Sequence, residues 1–135
     1  MVCIYCGGKT HITNSRAQKR SHATWRRHHC LSCKATFTTQ ERVDLAASVA
    51  FIDAKGNDTP FVRETLLQSL YESLKHRPHA LADALALTDT VINQLIKQVS
   101  QAALPRNTVA KTAHQVLQRF DKAAAVQYQA FHPTS

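Results

Sequence analysis

The chain has 135 residues, a formal net charge of +8 and a pI near 9.7. A chain of this length forms one domain or two small ones. Its charge makes a polyanion the first partner to consider, either nucleic acid or an anionic membrane surface. Residues 1–15 lack the apolar core of a secretory signal, and the longest mostly apolar stretch, Ala80–Leu87, is too short to span a membrane. We therefore expect a cytoplasmic protein without a membrane partner, because an amphipathic basic helix is also missing.

The basic residues are concentrated near the N-terminus. Residues 1–45 contain eight Lys/Arg against two Asp/Glu, whereas residues 46–135 contain nine against seven. All four cysteines and the only tryptophan also lie in this first segment. The distribution indicates two domains, 1–45 and 46–135, of which the first carries the strongly basic character.

Three short strands are expected in the first domain. Residues at Ile12–Asn14, Trp25–His29 and Thr36–Arg42 are β-prone or alternate in polarity. A segment this short buries too little apolar surface to be stable alone, so a bound metal has to supply the stability. We expect Trp25 and Phe37 to form its small core; the alternative is that Trp25 stacks on a base or wedges into a groove of DNA.

The second domain is expected to be helical with a small β-element in front. Ser48–Ile52 is typical of a strand, Lys55–Asp58 of a turn, and Pro60 suits the first position of a helix that ends at Arg77-Pro78. Apolar residues at helical spacing then predict a second helix capped by Thr88 or Asp89, with His79–Leu87 as a separate short helix before it. A third helix is expected to start at Asn107 or Thr108, after Pro105, and a last one to span about Asp121–Phe131.

The cysteines form two C-x2-C pairs, Cys3/Cys6 and Cys30/Cys33. Each pair offers two thiolates from one turn, and the second pair completes a tetrahedral shell for zinc. Four thiolates leave no open position for a catalytic water, so the zinc is expected to be structural. Replacement of one ligand by His28 or His29, a redox function and two disulfides are weaker alternatives.

Basic residues surround the second cysteine pair and predict contact with nucleic acid. Phosphate contacts from such residues supply most of the affinity of DNA-binding proteins and make it salt-dependent. The residues expected to contact DNA are Arg16, Lys19, Arg20, Arg26, Arg27, His28 and Arg42.

Residues 1–45 resemble the NrdR family, bacterial repressors of ribonucleotide reductase genes. The family's N-terminus reads roughly C-x-x-C-G, V-x-D-S-R, an arginine run into C-x-x-C, and R-F-T-T-x-E. The corresponding segments are Cys3–Gly7, Ile12–Arg16, Arg26–Cys30 and Thr36–Arg42. The chain departs from the family at Asn14, where the family has Asp, and in the shortened arginine run.

The second domain resembles the family's ATP-cone, a small helical domain with a β-cap that binds adenine nucleotides. Pro60–Leu66 matches the family's P-F-D-R-E-K-L, and Leu104–Val109 and Phe120–Ala124 match later landmarks. By this resemblance Lys55 and Arg63 are the candidate nucleotide-binding residues. Where the family has cations, the chain has Asp53, Ala54, Thr65 and Gln127, so binding of ATP or dATP is expected to be weakened or lost.

The sequence therefore predicts an α+β fold, with a four-cysteine zinc ribbon followed by a helical, ATP-cone-like domain that has a β-element as its cap. The resemblance implies a transcriptional regulator in which the ribbon binds double-stranded DNA and the cone controls homo-oligomerisation. The alternative is an interaction adaptor in which the ribbon binds protein or RNA and the cone is a dimerisation module. An enzyme is not expected, since no phosphate loop, open metal site or nucleophile–base pair is recognisable.

Overall fold

The computed structural model describes residues 1–133, so positions 134 and 135 of the expected second domain lie outside the described part. The chain divides into two compact units, Met1–Val43 and the part that begins at Asp44. We call them the ribbon unit and the helical unit. The combination of strands and helices confirms the α+β prediction.

The ribbon unit contains one antiparallel sheet of three strands in the order β1-β2-β3. Its strands are β1 (Thr10–Gln18), β2 (Ala23–Cys30) and β3 (Thr36–Arg42). All three predicted strands are confirmed, but β1 is much longer than expected and contains a bulge between Ile12 and Asn14. A bulge interrupts the alternation of side chains between the two faces of a sheet, so that residues before it and residues after it follow opposite alternation.

The core of the ribbon unit differs from the prediction. Its buried cluster consists of Cys3, Cys30 and Phe37. Phe37 is buried as expected, whereas Trp25 is only half-buried and does not belong to the cluster. The cluster is too small to hold three strands by burial alone, which leaves the cysteine site as the main source of stability.

Over its described residues, 44–133, the helical unit combines five helices with a second three-stranded sheet. In chain order its elements are α1 (Leu45–Ser48), β4 (Ala50–Ile52), β5 (Asp58–Pro60), α2 (Arg63–Leu74), α3 (Ala80–Ile96), β6 (Ala103–Pro105), α4 (Arg106–Phe120) and α5 (Lys122–Phe131). Strand β4 is central, antiparallel to β5 and parallel to β6. The core lies between the sheet and helices α2–α5, and its largest fully buried side chains include Leu70, Leu74, Leu104 and Leu117.

Two helix starts were predicted incorrectly. Pro60 ends β5, and α2 begins at Arg63. Thr88 and Asp89 do not cap a helix, because α3 runs without interruption from Ala80 to Ile96 and includes the segment expected to be a separate helix. Thr88 is buried and donates its hydroxyl to the carbonyl oxygen of Ala84 at 2.7 Å, which satisfies it inside the helix.

The turn between β4 and β5 is organised by Asp53. Its carboxylate accepts hydrogen bonds from the backbone N–H groups of Lys55 (2.8 Å) and Asn57 (3.0 Å) and from the side-chain amide of Asn57 (3.2 Å). Gly56 has a φ of +85°, a conformation that glycine adopts without steric cost. Asp53 is therefore needed by the turn itself.

Candidate metal centre and nucleic-acid interface

The sulfur atoms of Cys3, Cys6, Cys30 and Cys33 all lie within 4.8 Å of one another. The Sγ atoms of Cys3 and Cys33 are 3.7 Å apart, and those of Cys6 and Cys30 are 3.5 Å apart. Ligands about 2.3 Å from a central zinc in a tetrahedron lie about 3.8 Å from one another. The separations exceed the roughly 2 Å of a disulfide bond, so the four cysteines fit structural zinc and not two disulfides.

Both cysteine pairs lie on tight turns with the same backbone geometry. The N–H of Cys3 donates to the carbonyl of Gly8 and that of Cys30 to the carbonyl of Ala35, both at 2.9 Å. The residue after the second cysteine of each pair has a positive φ, +72° at Gly7 and +63° at Lys34. The sequence thus folds each C-x2-C segment so that its two thiols converge.

The ionisation of the thiols also fits a bound cation. The backbone N–H of Cys33 lowers the pKa of the Cys30 thiol to about 6. At Cys33 the backbone N–H of Ala35 favours the thiolate, but desolvation and the neighbouring thiols outweigh it and raise the pKa to about 12. Four crowded thiols do not all lose their protons unaided, and a divalent metal removes the repulsion between them.

Strand register sorts the basic residues of the ribbon unit onto two faces of the sheet. Arg16 of β1 pairs with Trp25 of β2, which pairs with Gln40 of β3. Directly paired residues point to the same side of a sheet, and residues two apart on a strand share that side. We call this side the Trp25 face; its two central rows comprise Asn14, Arg16, Trp25, Arg27, Thr38 and Gln40.

Arg26 lies on the opposite face from its neighbour Arg27. It pairs with Ser15 and Thr39, and its Nη2 atom is 3.4 Å from the Oε2 atom of Glu41. Arg27 is exposed, while Arg26 is partly buried. The two arginines, predicted together as DNA contacts, are therefore separated by the sheet.

His28, predicted to contact DNA, is buried in the ribbon unit. Its side chain is 5% exposed, its Nε2 atom is 2.8 Å from the hydroxyl of Thr39, and its ring stacks on Phe37 with centroids 5.0 Å apart. It shares the face of Cys30, two residues later on β2. This parity was visible in the sequence and would have assigned His28 to the core side.

The remaining predicted contacts lie at the margin of the sheet. Lys19 and Arg20 are exposed in the turn between β1 and β2. Arg42 pairs with Ala23 at the end of β3 and donates to the side chain of Gln40 at 3.3 Å. Arg42, two residues after Gln40 on β3, therefore lies at the edge of the Trp25 face, and Lys19 and Arg20 extend the basic surface into the turn.

A groove of about 630 Å³ opens in the helical unit between the β4–β5 turn, α2, α4 and α5. This groove is lined by Asp53, Ala54 and Thr65. These are positions at which, by the resemblance, the family has nucleotide-binding cations. Hydrogen bonds from Asn57 hold the pKa of Asp53 below its usual range, so a carboxylate lines the groove. Among the described residues that line it, Arg106 is the only Lys or Arg, and it was not among the residues predicted to bind a nucleotide.

The structure does not bring the two nucleotide candidates together. Lys55 is exposed in the turn, and neither it nor Arg63 is among the residues that line the groove. The Nη2 atom of Arg63 is 2.8 Å from the carboxylate of Asp89, and both side chains are largely shielded from solvent. Arg63 thus has a structural partner between α2 and α3.

Comparisons with known proteins cover nearly the whole chain. Residues 1–41 match the family described as "Transcriptional repressor NrdR-like, N-terminal domain". Proteins named "Transcriptional repressor NrdR" from Phenylobacterium zucineum and Rhodospirillum centenum are 31% and 33% identical over 129 and 132 residues, which is 95% of this chain and 82% of each relative. One from Symbiobacterium thermophilum is 27% identical over 128 residues, 95% of this chain and 84% of that relative. The name describes a transcription regulator and not an enzyme. Within residues 1–133, none of the helices has the length and apolar character needed to cross a membrane.

Proposed function

Because the chain belongs to the NrdR family of transcriptional repressors, we propose that it regulates transcription in the cytoplasm by binding double-stranded DNA through the ribbon unit. By resemblance to the family, the regulated genes encode ribonucleotide reductase. Zinc fixes the two cysteine turns and thereby the three strands, but takes no part in chemistry. The DNA contacts come from the sheet and from the turn between β1 and β2.

The observation that carries this proposal is the charge of the ribbon unit. Residues 1–43 contain eight Lys/Arg and one acidic residue, Glu41, which lies on the opposite side of the sheet from Arg16 and Arg27. The Trp25 face therefore has no acidic residue among its members. A surface of this composition releases counterions from DNA when its cations meet phosphates, which gives a favourable and salt-dependent binding free energy.

The helical unit is proposed to assemble copies of the chain, so that ribbon units meet paired DNA sites. Large apolar side chains on α5 support this role, since Val126 and Phe131 are 70% and 75% exposed. Phe120, at the end of α4, is also exposed. In the proposed assembly a second copy of the chain covers these side chains.

We propose further that the helical unit no longer senses adenine nucleotides. A triphosphate needs several cations or backbone donors around its oxygens. The groove offers Arg106, and the Asp53 carboxylate is close enough for the Arg106 charge to lower its pKa. Asp53 both neutralises that cation and repels phosphate, so the electrostatic attraction for a nucleotide is largely cancelled.

Two adjacent arginines give a matched test of DNA binding. Arg27→Gln removes an exposed cation from the Trp25 face, whereas Arg26→Gln removes one from the other face, where Glu41 already partners it. We expect Arg27→Gln to weaken binding to duplex DNA and to reduce the salt dependence by about one unit of slope, as the loss of one phosphate contact does. Arg26→Gln should change the slope by much less.

The measurement is the dissociation constant for a labelled duplex over a series of salt concentrations. Equal effects of the two substitutions would refute the assignment of the DNA-binding face. DNA binding by the zinc-free protein with undiminished affinity would refute the ribbon unit as the binding unit.

A further inference from the structure

Trp25 occupies an unusual place for the only tryptophan of a small domain. It lies in the middle strand of the ribbon sheet, half-buried, and outside the cluster of Cys3, Cys30 and Phe37. Among residues 1–133, none of the aromatic ring contacts involves its indole. Tryptophan carries the largest apolar surface of any side chain, and here that surface lies on an open sheet face.

Apart from the buried Ala23, two residues earlier on its own strand, the neighbours of Trp25 on this face are polar or basic and exposed. Arg16 and Gln40 flank it in the same cross-strand row, and Arg27 lies two residues along the same strand. The next row adds Asn14 and Thr38 beside Arg27. An aromatic ring surrounded by guanidinium groups and hydrogen-bonding side chains on an open sheet is the arrangement on which unstacked bases bind, with cations for the flanking phosphates.

We infer that Trp25 stacks on a nucleobase, so that the ribbon unit binds DNA most tightly where a base is unpaired or readily unstacked. The inference rests on the proposed DNA-binding function and specifies how the Trp25 face is used. Arg16 and Arg27 would hold the backbone on either side of the ring, while the indole supplies a contact that phosphate binding alone does not give. Stacking on an indole tolerates any base, so this contact favours a shape of DNA more than a sequence.

The single tryptophan makes the inference directly measurable in the unmodified protein. A short mixed-sequence duplex, and the same duplex with one central base left unpaired, carry a fluorescent label at one end. Label anisotropy reports binding, and tryptophan emission reports contact with Trp25. We expect emission to fall along the same titration curve as anisotropy rises, with tighter binding of the interrupted duplex.

Three substitutions separate stacking from general packing. Trp25→Leu keeps an apolar side chain without a π face and should weaken binding of the interrupted duplex about fivefold or more, the lower end of what one stacked base contributes. Trp25→Phe should recover part of that loss. Tyr5→Leu is the control, because Tyr5 is 65% exposed but its ring meets Phe37, on the other side of the sheet; it should leave both affinities unchanged.

The outcomes distinguish this inference from the proposed function. If anisotropy rises while Trp25 emission stays constant, or if zinc-loaded Trp25→Leu binds both duplexes as the unmodified protein does, DNA binding stands and base stacking is refuted. If anisotropy never rises, DNA binding itself is refuted and stacking with it.

Discussion

Replacing Asp121 with alanine removes a carboxylate that connects the loop after α2 with the start of α5. Its Oδ1 atom accepts a hydrogen bond from the backbone N–H of Ala124 at 3.0 Å and so caps α5. Its Oδ2 atom lies 2.9 Å from Nε2 of His76 and 3.1 Å from Nη1 of Arg77. The side chain is 12% exposed, so water replaces these contacts poorly in the folded protein.

The expected loss can be worked out from these contacts. Loss of an N-cap costs about 1 kcal/mol. A hydrogen bond to a charged group contributes about 1.5–3 kcal/mol, and the lower end applies because Arg77 is a third exposed and keeps its contact with Asp83 at 2.8 Å. The free energy of unfolding of the helical unit should therefore fall by about 2–3 kcal/mol, which for a unit of this size lowers Tm by roughly 10–20 °C.

The pH dependence of this loss has a definite sign. The pKa of Asp121 is held well below its usual range. The largest cause is the hydrogen bond from the backbone N–H of Ala124, and the next is the side-chain hydrogen bond with His76. A carboxyl with a depressed folded-state pKa stabilises the protein above its unfolded pKa of about 4, and the stabilisation disappears as the pH falls further. The difference between the unmodified protein and Asp121→Ala should thus be full at neutral pH and shrink below about pH 4.

Circular dichroism at the helical minimum during thermal and urea unfolding measures the effect. Asp121→Asn is the matched control, because asparagine caps a helix as well as aspartate does but carries no charge; its stability should lie between the other two. A loss below about 0.5 kcal/mol for Asp121→Ala, within the range of ordinary surface substitutions, would show that these contacts do not stabilise the helical unit.

Two further predictions concern ligands. Protein purified without added metal should contain about one zinc per chain, and chelation should unfold the ribbon unit before the helical unit, because the ribbon has so little core of its own; intact strands in metal-free protein, seen by hydrogen exchange, would contradict this. Titration calorimetry with ATP and with dATP should give no heat of binding and no change of oligomeric state, since Asp53 offsets Arg106 in the groove; low-micromolar binding that Lys55→Ala abolishes would show that the sensor survives.

Much of the fold was predictable because its signals are local and repeated. The C-x2-C pairs identify the metal site, and the alternation of Thr36–Arg42 gives the bounds of β3 as they are found. The apolar stripe of α2 places Leu66, Leu70 and Leu74 in the core, where they are buried. Each of these patterns depends only on the spacing of residues within one helix, strand or turn.

The wrong structural predictions concern residues whose role depends on tertiary contacts and not on the local sequence alone. Thr88 has the chemistry of a cap, but inside α3 its hydroxyl bonds to the helix backbone. Strand β6 is three residues long and exists because it pairs with β4, far away in sequence. Trp25 was assigned to the core by its hydrophobicity, although the cysteine site determines which face of β2 is covered.

Arg106 shows a further limit of sequence reasoning about the site. It is 53 positions from Asp53, and only the packing of α4 beside the β4–β5 turn places both on one groove. The local signal was the position of Arg106 immediately after Pro105, at the start of a helix whose N-terminus attracts anions. The sequence alone does not indicate that Arg106 lies near Asp53.

Selection from sheared DNA of the source genome tests whether this chain regulates transcription by binding DNA through its ribbon unit. Zinc-loaded full-length protein is incubated with the fragments at physiological salt, and the bound fragments are sequenced alongside a parallel selection with Arg27→Gln. We expect a small set of enriched fragments that lie upstream of genes, contain paired sites and lose their enrichment with the variant. Recovery of fragments in proportion to their abundance, or the same enrichment with both proteins, would contradict it.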